Sequence, residues 1–229
     1  MSRRVVVAID GPAGAGKSTV ARALARRLGY VYIDTGAMYR AVALWALRLG
    51  VALNDAHRLE QLAREAHIEF AAGSSRVLLN GEDVTAAIRE PGMAEAASKV
   101  SMIGGVRRAL VAAQRAMAES ASVIMEGRDI GTVVFPDADV KIFLDADPRA
   151  RAGRRVEDLR RRGLAVEPDG VAQEIAERDR RDRTRAESPL IQAPDAVYVD
   201  TTGLSVERVE EAILKIIRTR VSNGKEVAR

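Results

Sequence analysis

The chain has 229 residues, 47% of them hydrophobic and 30% charged, with a formal net charge of +4. That is globular composition, long enough to bury a real core in one domain or in one core with an insertion. No cysteine and only two histidines (His57 and His67) exclude disulfides, thiol chemistry and a His/Cys zinc site.

In chain order, RRVVVAID reads as a first buried strand (Val5–Ile9) rather than a signal peptide, because its apolar part stops at an aspartate and a glycine-rich loop. STVARALARRLG reads as a helix, with Val20, Leu24 and Leu28 on one stripe and Gly29 as its stop. YVYID (Tyr30–Asp34) is a second strand, and a helix follows from about Ala37 to Leu49. IEFAAGSSRVLLNGEDV (Ile68–Val84) breaks the alternation. Its Asn80–Gly81 pair signals a type I′ hairpin, and antiparallel hairpins do not belong in a parallel core. SVIME, VKIFLDA and AVYVDT, beginning at Ser122, Val140 and Ala196, are three further buried strands. Between the last two, RARAGRRVEDLRRR (Arg149–Arg162) lacks a wide apolar stripe and reads as a solvated helix or a mobile flap. A final helix from about Ser205 carries Val209, Ile213, Ile216 and Ile217 on one side, and the tail after Val221 reads as frayed. No apolar run approaches the ~20 residues of a membrane span, and a cytoplasmic protein is expected.

Strand–helix alternation with a phosphate loop after the first strand predicts a P-loop α/β fold, three layers around a parallel sheet. Residues 1–65 and 121–229 are expected to form the core. Residues 66–120 are expected to be an insertion with a small antiparallel sheet, and 149–168 a lid segment.

The loop itself is Gly11, Pro12, Ala13, Gly14, Ala15, Gly16, Lys17, Ser18 and Thr19. Glycines let backbone N–H groups converge on phosphate oxygens, and the following helix N-terminus adds its dipole. Lys17 should bridge the β- and γ-phosphates and the Ser18 hydroxyl should ligate Mg²⁺. The pattern specifies a nucleoside triphosphate and says nothing about the acceptor. A GTPase switch needs a guanine-reading NKxD-type loop, and none of Asn54, Asn80 and Asn223 sits in one. A small-molecule kinase needs many cations around two anions. Only five of the 36 basic residues are lysines, and twelve arginines fall between Arg149 and Arg185. Arginine grips phosphate bidentately and stays charged, so the cluster favours the kinase. A nucleic-acid-binding ATPase is the rival from another class. Interleaved acids and an aromatic fraction of 3% make it the poorer fit.

Three further stretches could hold the acceptor: DTGAMYR (Asp34–Arg40), EGRDIGTVVFPDA (Glu126–Ala138) and ERDRRDRTR (Glu177–Arg185). In the last, Arg178, Asp182 and Arg185 are spaced for one helical face. Together with the phosphate loop, these stretches resemble bacterial cytidylate kinases from about Val5 to Val221. The resemblance implies transfer of the γ-phosphate of ATP to CMP or dCMP. A monomer using Mg²⁺, without nucleic-acid or membrane partners, is expected. A kinase for UMP or AMP is the alternative within the same class. The resemblance also assigns residues. Arg40 and Arg128 hold the acceptor phosphate, and Ser98, Arg107, Asp129 and Arg185 read cytosine. Asp182 takes a sugar hydroxyl, and Arg178 makes a nearby sugar and phosphate contact. Thr35 stands where the family often has serine. Arg154 and Arg155 would close the lid over the phosphates, with Arg149 and Arg151 as rivals.

Overall fold

The computed structural model describes residues 4–71 and 76–226, with side chains through 222. The order is β1 (Val6–Asp10), α1 (Lys17–Leu28), β2 (Val31–Asp34), α2 (Thr35–Arg48), α3 (Ala56–Glu65), β3 (Ile68–Phe70), β4 (Val77–Leu79), β5 (Glu82–Asp83), α4 (Met93–Val100), α5 (Gly104–Met117), β6 (Val123–Gly127), β7 (Val140–Asp145), α6 (Pro148–Arg161), α7 (Pro168–Thr184), β8 (Val197–Asp200) and α8 (Val206–Glu226). A 3₁₀ turn covers Ala87–Arg89 and a π-helical turn covers Ile130–Val134. The chain divides into two compact units, residues 1–32 with 123–229, and Ile33–Ser122.

The first unit is built on a five-stranded sheet in the order β2-β6-β1-β7-β8. β1 runs parallel to both β6 and β7, and β7 runs parallel to β8. The register sets Asp10 opposite Gly127 and Phe143, so β1 and β6 finish level while β7 runs on to Asp145. In parallel α/β sheets that edge is where ligands bind. A central strand has no wet face, which is why β1 is almost wholly apolar until Asp10. Val20, Ala21 and Leu24 of α1 pack with Val209, Ile213 and Ile217 of α8 on Val7, Ile9 and Ile142. Gly11 leaves β1 at φ 147, and a Cβ there would stand 1.9 Å from the Leu144 carbonyl oxygen, so only glycine fits.

The Arg149–Arg162 stretch is helical and has a core of its own. Asp147 caps α6 by accepting from the Arg149 N–H at 2.8 Å. Ala152, Val156 and Leu159 form a narrow stripe that packs on Val171 and Ile175 of α7. Stripes this narrow are easily lost among the nine charged residues of the stretch, so the sequence alone fits a helix or a flap. The α8 helix continues to Glu226, past the expected fraying point at Val221.

The second unit gathers α2, α3, α4 and α5 around Met38, Val42, Leu59, Leu62, Ile88 and Leu110. Residues 66–120 therefore share one hydrophobic core with α2 and α3. Helix α2 starts at Thr35, two residues before the sequence suggested. The Asp34 carboxylate accepts the Ala37 N–H at 3.0 Å and so caps a turn containing Gly36. The antiparallel sheet runs β3-β4-β5, and Asn80–Gly81, at φ 52 and 84, closes its second hairpin. Both central residues at positive φ are what a type I′ turn requires. The middle of the β3–β4 connection, residues 72–75, lies outside the described residues.

Nothing crowds Gly81, so a substitution there tests backbone conformation alone. Gly81→Val should cost at least about 1–2 kcal/mol of unfolding free energy in urea titration. Gly81→Asn should restore most of that loss, since asparagine tolerates the left-handed region.

Candidate active site

At the carboxyl edge of the first unit's sheet, the phosphate loop carries Lys17 into a nearly dry position. Only 6% of its surface is exposed, and its ammonium donates to the Pro12 carbonyl at 2.6 Å. Burial, with the guanidinium groups of Arg128 and Arg178 nearby, pushes its pKa down to about 7, against the pull of Glu126 and Asp10. A buried ammonium with a lowered pKa regains its affinity for a proton when an anion is brought beside it.

β6 ends at Gly127, and Arg128 and Asp129 follow. Their anchor is a residue that sequence reading passed over. Asp10, at the end of β1, accepts the Ile130 N–H at 2.8 Å and the Gly131 N–H at 2.7 Å. Burial nonetheless raises its pKa to about 6, because those two donors only partly replace lost water.

Helix α7 supplies the other half of a charge cluster. Asp182 Oδ2 accepts from Arg128 Nε at 2.8 Å and lies 4.0 Å from Arg178 Nε. Asp182 Oδ1 lies 3.9 Å from Arg185 Nη1, while Arg185 Nη2 is 3.7 Å from Asp129 Oδ1. Burial alone would raise the Asp182 pKa, but Arg128, Arg178 and Arg185 outweigh it and hold the carboxyl below its usual range. Burial opposes the charge on Arg128 too, and Asp182 more than restores it. Arg185 sits one residue past the end of α7, at φ −63 and ψ 144, and donates through Nε to the Ser188 carbonyl. The structure thus brings Arg128, Asp129, Arg178, Asp182 and Arg185 together.

The arginines of α6 divide. Arg154 donates to the Thr201 hydroxyl (2.9 Å) and carbonyl (2.6 Å), and its Nη1 lies 4.0 Å from the place a Cβ would take on Gly16. Arg155 pairs with Asp158 on the exposed face. Arg151, one of the two rivals, is 4% exposed and bonds Ala13 of the phosphate loop and Asp179 of α7. A sequence signal for Asp179 existed. Val171, Ile175, Asp179 and Asp182 are the buried positions of α7, so two carboxylates ride on its apolar stripe.

Within the second unit, Arg40 and Asp34 form an ion pair at 2.9 Å. Burial pushes Asp34 upward, yet Arg40 and the Ala37 N–H prevail and hold it below its ordinary value. Gly36 leaves room for this pair, because a Cβ there would fall 3.1 Å from Asp34 Oδ1 and 3.2 Å from Arg40 Nη1. Thr35 is buried at the first position of α2. Arg107, 2% exposed, stands over the Tyr39 ring at 5.5 Å and reaches the Ser101 carbonyl at 3.4 Å. The Ser98 hydroxyl is buried and makes no hydrogen bond among the described residues. Such a hydroxyl is costly unless something else fills its bonding capacity.

Comparison with known proteins bears on the fold and on the family. A Sinorhizobium meliloti gluconokinase superposes with a TM-score of 0.54 at 15% identity, over 99% of this chain and all of that one, which shows the fold. A cytidylate kinase of Solibacter usitatus is 62% identical over 226 residues, 98% of this chain and 97% of that protein. One from Pelotomaculum thermopropionicum is 54% identical over 96% of each chain. Residues 7–219 match the cytidylate kinase family, so the chain belongs to that family.

Proposed function

We propose that this protein transfers the γ-phosphate of ATP to CMP or dCMP, giving the diphosphate and ADP, as a cytoplasmic monomer. The observation that carries the reading is the cluster of Arg128, Arg178, Arg185, Asp129 and Asp182, beside a buried P-loop lysine whose pKa is pushed down to about 7. Two nucleotides bring several phosphate charges, and phosphoryl transfer is mostly positioning and neutralisation of that charge.

The loop from Gly11 to Thr19 holds the triphosphate through its backbone N–H groups, and Lys17 binds its terminal phosphates. Ser18, at the N-terminus of α1, offers a hard hydroxyl oxygen of the kind Mg²⁺ accepts alongside phosphate oxygens and waters. The metal would supply further charge neutralisation on the triphosphate. Arg128 and Arg40 take the acceptor phosphate, and Arg178 lies where it can neutralise charge during transfer. No general base is assigned, since a monophosphate oxygen is already an anionic nucleophile.

For the base, the Asp129 carboxylate accepts from the exocyclic amine of cytosine, while Ser98, Arg107 and Arg185 donate to N3 and O2. Uracil carries a carbonyl in place of that amine, so the same carboxylate repels it. The unsatisfied Ser98 hydroxyl supports this assignment. Asp182 accepts a sugar hydroxyl, and Thr35 supplies the hydroxyl that serine supplies in relatives. We assign residues 66–120 to monophosphate binding and 149–168 to the lid. Within the lid, Arg154 is better placed than Arg155 to meet a phosphate, given its approach to Gly16.

A panel of CMP, dCMP, UMP and AMP with ATP and Mg²⁺, read by coupled ADP detection, should rank the cytidine nucleotides first. ATP hydrolysis without any acceptor would overturn the reading. Chelation of Mg²⁺ should abolish turnover and its readdition restore it. Lys17→Ala should lower kcat by about a hundredfold or more. Asp129→Ala should cut kcat/KM for CMP far more than for UMP, and equal losses would make that carboxylate structural. Binding of ATP should also take up protons between pH 7 and 9. Lys17 titrates near 7 in the free protein and is held protonated by phosphate. Calorimetry in two buffers of different ionisation heat measures that uptake.

A further inference from the structure

We propose that Arg151 and Asp179 act as a positioning pair that fixes the phosphate loop in its ATP-binding shape before the nucleotide arrives. The inference goes beyond the assignment of ATP to the loop and rests on it.

The geometry centres on the Ala13 peptide groups. Arg151 Nη1 donates to the Ala13 carbonyl at 3.0 Å, and the Ala13 N–H donates to Asp179 Oδ1 at 3.3 Å. The two side chains close on each other, Arg151 Nη1 donating to Asp179 Oδ2 at 2.5 Å. One loop residue therefore has both its donor and its acceptor held by one ion pair, whose members come from α6 and α7. Arg151 is itself aimed by its Nε, which donates to the Ala146 carbonyl at 3.0 Å and lies 3.8 Å from Asp145 Oδ1. The next residue, Gly14, is pressed on the same support. At φ 76 its Cβ position would lie 3.0 Å from both the Arg151 Cβ and its carbonyl oxygen.

Glycine-rich loops lose more backbone entropy on ordering than other segments. If that ordering waited for ATP, affinity would fall by its cost; ordering in advance avoids it. The choice of an ion pair also has a reason. A bare carboxylate beside a phosphate site repels its ligand, and a guanidinium only 4% exposed is left with the more distant Asp145 alone if Asp179 is taken away. Paired, the two place opposite hydrogen-bonding groups on one residue with little net charge. Neither needs to touch the substrate.

The test uses the full-length protein. Asp179→Asn keeps the shape and the Ala13 contact but removes the ion pair. Arg151→Met keeps the bulk and removes every bond, and Arg151→Lys keeps the charge without the fork. Arg180→Ala, which removes an exposed ion pair with Glu177 on the same helix, is the control. ATP and CMP dissociation constants are measured separately by calorimetry, with kcat, both KM values and melting temperatures alongside. Asp179→Asn and Arg151→Met should each weaken ATP binding about tenfold or more, while CMP binding stays within about twofold of wild type. The double variant should bind ATP no worse than the weaker single one, since the pair acts as a unit. Arg180→Ala should bind ATP as wild type does. Unchanged ATP affinity in the variants would overturn the proposal. So would parallel loss of ATP and CMP affinity in step with melting temperature, the mark of a merely structural pair. Should Arg151→Met fail to fold, Asp179→Asn decides alone. Wild-type protein that does not bind ATP would instead refute the assignment of the loop, and this inference with it.

Discussion

A single carboxylate keeps the arginines of the first unit's site in one place. Asp182 lies within 4.0 Å of guanidinium nitrogens from Arg128, Arg178 and Arg185. Like charges this close repel strongly in a dry setting, and one internal anion is the least that holds them. Burial, more than any neighbouring charge, loosens the proton on Lys17, and a phosphate brought beside it would hold that proton more firmly.

Asp182 can do this because of where its helix comes from. Helix α7 leans on α6 through a small apolar stripe, and α6 reaches the phosphate loop directly through Arg151 and, through Arg154, by way of Thr201, whose hydroxyl donates to the Ala15 carbonyl. Sheet register sets the other side, since β1 and β6 end level and put Gly11 and Arg128 on the same edge. Thus the donor loop and the arginine cluster answer to the same short set of contacts.

Much of this was legible in the sequence. Strand positions followed from continuous apolar runs, and the Asn80–Gly81 turn followed from its unusual backbone needs. The phosphate loop was plain from its glycine spacing, and family resemblance singled out every arginine of the cluster. Less legible were the residues that hold others in place. Asp10 looked like the end of a strand, though its carboxylate carries the turn after Arg128. Arg151 was one arginine among twelve, and Asp179 one acid in a charged run. Their partners are backbone atoms from distant parts of the chain, and backbone atoms leave no trace in a sequence. Helix α6 was ambiguous for a related reason, because only three apolar side chains, Ala152, Val156 and Leu159, distinguish its packed face from a solvated one.

The Asp10 carboxyl has a consequence for the whole molecule. Its pKa stands above the ordinary 3.8, at about 6, so between those values the folded chain holds a proton that the unfolded chain has released. The sign follows: this side chain favours folding most in acid, and the benefit fades as the medium approaches neutrality. At the pH of a living cell it is ionised against its own preference, one residue before the phosphate loop. Its charge is held there against burial so that both N–H groups of the turn after Arg128 keep an acceptor.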